Sequence, residues 1–455
     1  MRAETEPALL PVEYCRQIFD QVQAAARASG VQDIELLIGA RAEALTRFAN
    51  NSVHQNVAEQ VTWLSVRAVI GQRTARATTN HADPDAIRSV VEDAIALTKA
   101  TQPDPDVLPL TGPKPFTPAL RFDSETAATT PAERATAVAE AIRLIEAESQ
   151  TAAGIFSTEK TSEAVFNSAG ASAWHSETMA RFSVTALAEN SSGWAKASAV
   201  SRRSIDPIAL ARRACEKAKL SRDPRELAAG KYTVILEPAA TLDLLGQMFG
   251  DFSATALKDQ RSFLTGRLGT KLFGDNINIS DDCLHPLQSG PAFDGEGVPR
   301  QRLVLVDAGV PREIAYSRAS AKRDGVEPTG HGFPLPNEIG EAPMNIVIAG
   351  GSASSDEIVA STQRGILVTR LWYIREVDPY EKIMTGMTRD GTFLIEDGRL
   401  ICGLKNFRFN QSLIELLNNV EAMSPSIRVS GEEAFDMVAP AMKVDNFNFT
   451  EITRF

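Results

Sequence analysis

A chain of 455 residues, 43% hydrophobic and 23% charged, holds enough apolar material for a buried core and predicts two or three domains. That composition excludes disorder, collagen and a coiled-coil rod. A formal charge of −11 excludes a basic phosphate-binding surface, so no nucleic acid is expected as a partner.

In chain order, residues 12–29 place apolar side chains at helical spacing, and Gly30 supplies the stop. The first thirty residues, with Glu4 and Glu6, lack the basic start and apolar segment of a signal peptide. No apolar run approaches the about 18 residues of a membrane-spanning helix, so the sequence predicts a soluble, cytoplasmic protein without membrane contact. Residues 34–39 and 42–48 read as two strands, with turn chemistry at Asn50, Asn51 and Ser52. Residues 60–70 form a further strand, which Gly71 turns into residues 74–78. Asp83 before Pro84 opens a helix, the aspartate as N-cap and the proline at the first helical position. Residues 101–118 hold six prolines and predict an irregular surface crossing. Thr130, Pro131 and Glu133 make a capping box that starts a helix running to about Ser149.

Strands follow between 154 and 201, then a helix over 207–220. At residues 230–236 the character of the chain changes, which places the main boundary near 228. An N-terminal α+β domain (1–228) and a strand-rich C-terminal domain (229–455) are expected. In the second half, residues 302–309 and 345–351 read as strands, and Ser355 as the cap of a helix ending near Gly365. Residues 381–407 read as a meander with a hairpin turn at Asp397 and Gly398. Helix and strand are segregated, so the fold class is α+β. Cys15, Cys215, Cys283 and Cys402 lie far apart without a CxxC pair and read as reduced thiols.

No strong catalytic motif is present. None of His54, His81, His175, His285 and His331 has a second histidine three to five residues away, and none is paired with a cysteine at ligand spacing, which argues against a zinc site built from local spacing. There is no GxSxG elbow, no GKS or GKT phosphate loop and no GxGxxG after a strand. Gly350, Gly351 and Ser352 are the nearest approach to an anion loop, and two glycines after a strand ordinarily make only a turn. His175 beside Trp174 reads as a packed cross-strand position.

Several stretches, in their order and spacing, carry a resemblance. They are AFDGEGV at 292–298, PTGHG at 328–332, DGTFLIEDG at 390–398 and MKVDNF at 442–447, with VRAVIG at 66–71 in the first half. Together they resemble the TldD/PmbA family, also labelled peptidase U62 or modulator of DNA gyrase. The resemblance covers nearly the whole chain and implies N-terminal helices on an antiparallel sheet, followed by a strand-rich domain. In catalytic members a helix carries HExxxH, whose histidines hold zinc and whose glutamate activates the bound water. A cysteine near the C-terminus is the third ligand.

The matching helix is 242–251. There Gly246 stands for the first histidine, Gln247 for the glutamate and Asp251 for the second histidine, while Ser430 stands for the cysteine. Glycine has no ligand atom, an amide is no general base, and a hydroxyl is a poor zinc ligand beside a thiolate. The resemblance therefore implies a TldE/PmbA-like subunit with no catalytic residues and no metal of its own. Zinc is expected in a TldD-like sister chain, with an unfolded or precursor peptide as substrate. The alternative is a homodimer that binds peptide and hydrolyses nothing. His331, Asp294 and Glu296 are candidates to line a substrate or partner cleft, although a turn histidine and an acidic glycine-rich turn are the plainer readings. Glu237 and Asp251 could be residual metal ligands or ordinary helix-end carboxylates.

Overall fold

The computed structural model describes residues 8–453. Six strands build the first half: β1 (Asp33–Ala49), β2 (Ser52–Ile70), β3 (Arg73–Thr79), β4 (Thr151–Asn167), β5 (Ser172–Ala188) and β6 (Ser191–Ala199). They pair antiparallel in the order β3-β2-β1-β4-β5-β6. The two strands expected over 34–48 are one. Gly39, midway, leaves room for the Trp63 ring of β2, which passes 2.1 Å from where a Cβ would stand. Asn50 and Asn51, at φ 50° and 59°, supply the left-handed pair that a tight hairpin demands.

Side chains alternate across this sheet. Helices α1 (Val12–Ala28) and α2 (Pro84–Ala100) bury Val22 and Val91 against Ile34, Leu36, Ile38 and Val66 on the even-numbered face. The short α3 (Ser124–Ala127) precedes α4 (Pro131–Ala147), which with α5 (Pro207–Leu220) covers Phe156, Phe182 and Val184 further along the same face. The Asp83 cap and the Thr130–Glu133 capping box form as the sequence predicts.

The odd-numbered face turns toward the second half and buries charged groups beside a small apolar cluster of Leu37, Val165, Ala173 and Phe293. Glu35 takes both arms of Arg67 at 3.0 and 2.9 Å and Arg76 at 2.7 Å. Arg76 reaches on to the Leu335 carbonyl at 2.8 Å. His175 lies there, buried and 3.4 Å from Glu177, whose carboxylate accepts the Gly290 N–H at 2.7 Å.

In the second half, β7 (Gly230–Leu236) joins strands Arg364–Asp378, Ile383–Glu396, Phe407–Ser412 and Met442–Ile452. Successive pairings return to their start, so the five strands close a small barrel and leave no edge within the ring. Val234, Leu236, Val368, Phe409, Phe447 and Phe449 fill it. A second six-stranded sheet of short strands shares that core. Asp397 and Gly398 make the expected hairpin turn, at φ 49° and 72°. The helix expected to start from Ser355 is capped instead by Ser354, whose hydroxyl accepts the Glu357 N–H, and ends at Ala360. Among the described residues all four cysteines are free, and no helix is long and apolar enough to cross a membrane.

Candidate functional site

The segment expected to be one helix over 242–251 changes winding. Pro238 starts α6 (Pro238–Leu245), and from Gly246 to Asp251 the chain tightens into 3₁₀ turns. Residues Ala240–Leu245 are all buried, including the carboxylate of Asp243. Asp243 Oδ1 accepts the backbone N–H groups of Glu432 and Glu433, each at 2.9 Å. Burial nevertheless pushes its carboxyl up to about 6.

These bonds stitch residues 430–437 onto the helix. A Cβ on Gly431 would stand 2.2 Å from Leu242 Cδ2 and 2.3 Å from Asp243 Oδ1. A Cβ on Gly246 would stand 2.3 Å from Ala434 Cβ and 3.2 Å from Met437 Cε. The Gln247 amide donates to the carbonyls of Asp243 and Glu433 at 3.2 and 3.1 Å. Lys196 of β6 donates to the Gly431 carbonyl at 2.8 Å. Ser430 is buried in the same seam, 6% exposed.

Asp251 ends the 3₁₀ stretch, and its Oδ2 lies 2.5 Å from Lys382 Nζ. The ammonium also meets Glu376 Oε1 at 2.6 Å, and the lysine side chain is 6% exposed. Burial pushes the Asp251 carboxyl up, and Lys382 opposes that shift. Gln247, Asp251 and Lys382 share one cleft of about 740 Å³ with Ser253, Arg261, Glu341 and Arg375. Burial also works to raise Glu341, but hydrogen bonds from Ser317, Thr255, Ser253 and Ser320 outweigh it and hold the carboxyl below its ordinary value. The cleft is thus a polar trough in which Asp251, Glu341, Glu376 and Lys382 are already partnered.

The remaining sequence candidates lie elsewhere. His331 is buried, with Nε2 3.2 Å from Asp281 Oδ1 and Nδ1 2.9 Å from Thr329 Oγ1. Asp294 accepts the N–H groups of Glu296 and Val298 at 2.9 Å and that of Gly332 at 2.8 Å, which ties the two glycine-rich loops together. Glu296 sits beside it, 3.4 Å from the Arg318 guanidinium, and burial with the Asp294 charge pushes it up to about 7. These three come together as fastenings between loops and do not line the cleft. Glu237 does not join Asp251: it pairs with Lys217 at 2.5 Å in another cavity. Lys382, Glu376 and Asp243 were not legible as site residues, since their partners lie far along the chain or in the backbone.

Zinc needs three protein ligands with free lone pairs. Gly246 has no ligand atom and no room for one, and Asp251 is engaged by an ammonium. Among the described residues no group of three or more His, Cys, Asp or Glu side chains is arranged to hold a metal ion. Gly246 and Asp251 therefore do not supply zinc ligands.

A six-stranded antiparallel sheet clad by helices, a closed five-stranded barrel and a cleft beside a short buried helix define an α+β chain. The chain belongs to the PmbA/TldD family: models of the PmbA/TldA metallopeptidase domain 1, central domain and C-terminal domain match residues 35–98, 125–222 and 229–451. It is similar to a metalloprotease of Methanothermobacter thermautotrophicus, 26% identical over 230 residues and 48% of each chain. It is also similar to metalloprotease PmbA of Escherichia coli O157:H7, 25% identical over 50% of this chain and 49% of that one. The chain spans about half the length of the curated relatives it matches. In shape it is similar to TldE from Thermococcus kodakarensis, with TM-score 0.86 and 20% identity over 95% of this chain and 99% of that chain. At that identity the likeness shows the fold alone.

Proposed function

We propose that this chain is a non-catalytic, TldE/PmbA-like subunit of a TldD/TldE-type zinc metalloprotease, working in the cytoplasm on unfolded or precursor peptides. In this reading Gly246, Gln247, Asp251 and Ser430 are the degenerate counterparts of the metal ligands and general base. The observation that carries it is the closed contact at Gly246. The position assigned to the first metal ligand has Ala434 where a side chain would begin, and Asp251, assigned to the second, is paired with the Lys382 ammonium. A zinc ion and an activated water would belong to the sister chain.

The sheet supports a role in assembly and peptide holding. β3 pairs with β2 only over Leu64–Ile70, so among the described residues no strand covers the outer side of residues 52–63. Val53 and Val61 are 36% and 43% exposed there, and neither lysine nor proline guards the edge. Such an edge accepts another strand through main-chain bonds, which are indifferent to side-chain sequence.

Purifying the chain at native expression level from its host, with mass spectrometry of what accompanies it, tests the reading. A stoichiometric sister chain bearing HExxxH supports it. Recovery of this chain alone at a dimer's mass would replace it with a peptide-binding homodimer.

A further inference from the structure

A second cavity, of about 660 Å³, lies where α5 meets the barrel, away from the cleft at Asp251. Its floor is apolar: Ile235, Leu367 and Phe393 are 0%, 6% and 0% exposed. Leu400 and Ile427 continue that surface at the rim, where they are 38% and 51% exposed. Set in the wall is an ion pair, Lys217 Nζ at 2.5 Å from Glu237 Oε2, with side chains 11% and 25% exposed. Burial favours the neutral amine, and Glu237 works against it.

The charges around this cavity balance. Arg213, Lys217 and Arg399 face Glu216, Glu237 and Asp356, three cations against three carboxylates. A phosphate-like dianion or a polyamine would meet as much repulsion as attraction. A ligand carrying one charge of each sign and an apolar body matches all three features. Its carboxylate would approach Lys217 and Arg399, its ammonium Glu237, and its side chain the Phe393 floor. A pair already held together needs no rearrangement to receive such a ligand, which lowers the cost of binding.

We propose that this pocket binds a small zwitterion with an apolar side chain, as a free aliphatic or aromatic amino acid or as a short peptide of the same end charges. The site stands independently of whether the chain hydrolyses anything.

Calorimetry and thermal shift on the full chain test it, with L-leucine, L-phenylalanine, the dipeptide Leu-Leu, N-acetyl-leucine amide and inorganic phosphate as probes. Saturable binding of leucine or phenylalanine is expected, with no binding of phosphate. Loss of about tenfold or more is expected for the capped amide, since each charge-assisted hydrogen bond contributes about 1.5–3 kcal/mol. Tighter binding of the dipeptide would make a peptide the source of the ligand, and weaker binding the free amino acid. Glu237→Gln should weaken binding about tenfold at the ammonium end by the same measure. Leu400→Asp, at the exposed rim, should weaken it without loss of fold by circular dichroism. No saturable binding of any zwitterion, or binding unchanged in both variants, overturns the proposal.

Discussion

Gly246→Ala puts one methyl group where α6 meets the 430–437 segment. The backbone there is right-handed, at φ −56° and ψ −22°, so alanine suffers no conformational strain. By propensity alone it should stabilise, because glycine in a helix costs about 0.5–1 kcal/mol relative to alanine. Against that, its Cβ would lie 2.3 Å from Ala434 Cβ, inside the 3.0 Å that real Cβ contacts essentially never breach. Ala434 cannot retreat freely, because its neighbours Glu432 and Glu433 are bonded to Asp243 and Gln247. Overpacking of this kind costs about 1–3 kcal/mol, so after the propensity gain the net loss should be centred near about 1 kcal/mol and reach at most about 2.5 kcal/mol. Urea unfolding of the single variants and of Gly246→Ala with Ala434→Gly forms a double-mutant cycle. The account expects the double variant to regain most of the loss. If Gly246→Ala is as stable as the parent and Ala434→Gly changes nothing in its background, the contact is not closed and the reasoning fails.

Lys382→Met should destabilise by about 3 kcal/mol by stranding Asp251, and adding Asp251→Asn should restore part of that in the same urea assay; an unchanged midpoint would contradict the pairing. Glu35→Ala strands Arg67 and Arg76 beneath the sheet and should cost about 3–5 kcal/mol, measured the same way. Asp243 and Glu296, held near 6 and 7, both lie above their ordinary unfolded values of about 4. Their stabilising contribution is therefore fully present below pH of about 4 and is lost as pH rises through about 6 and 7. Unfolding midpoints should fall over that range, and Glu296→Gln should flatten the upper part. The same decline in the variant would assign the effect elsewhere.

The local chemistry of this sequence was the most legible. Proline at the first helical position after Asp83 or Thr130, and left-handed asparagines at 50 and 51, act within four residues, so pattern and structure agree. Length was less so: β1 runs through Gly39 because Trp63 of the next strand fills the glycine's space, which no local pattern reveals. The barrel was not legible at all, since it closes by pairing residues 230–236 with 442–449, some two hundred positions apart. The same limit governs the site. The residue types at 246, 247, 251 and 430 are visible in the letters, but the side chains that pack around 246 and 251 are not. Ala434 and Lys382 reach it from 188 and 131 residues away in sequence. The candidates His331, Asp294 and Glu296 sat in glycine-rich loops that look like a cleft, and the fold uses them to fasten those loops beneath the sheet.

The most direct measurement is zinc content and peptide turnover of this chain purified alone after saturation with zinc and removal of excess, assayed on an unfolded protein. The account predicts substoichiometric zinc and no hydrolysis, with turnover arising only when a sister chain carrying HExxxH is added. Stoichiometric zinc with hydrolysis by the isolated chain, both lost in Asp251→Asn, would contradict it.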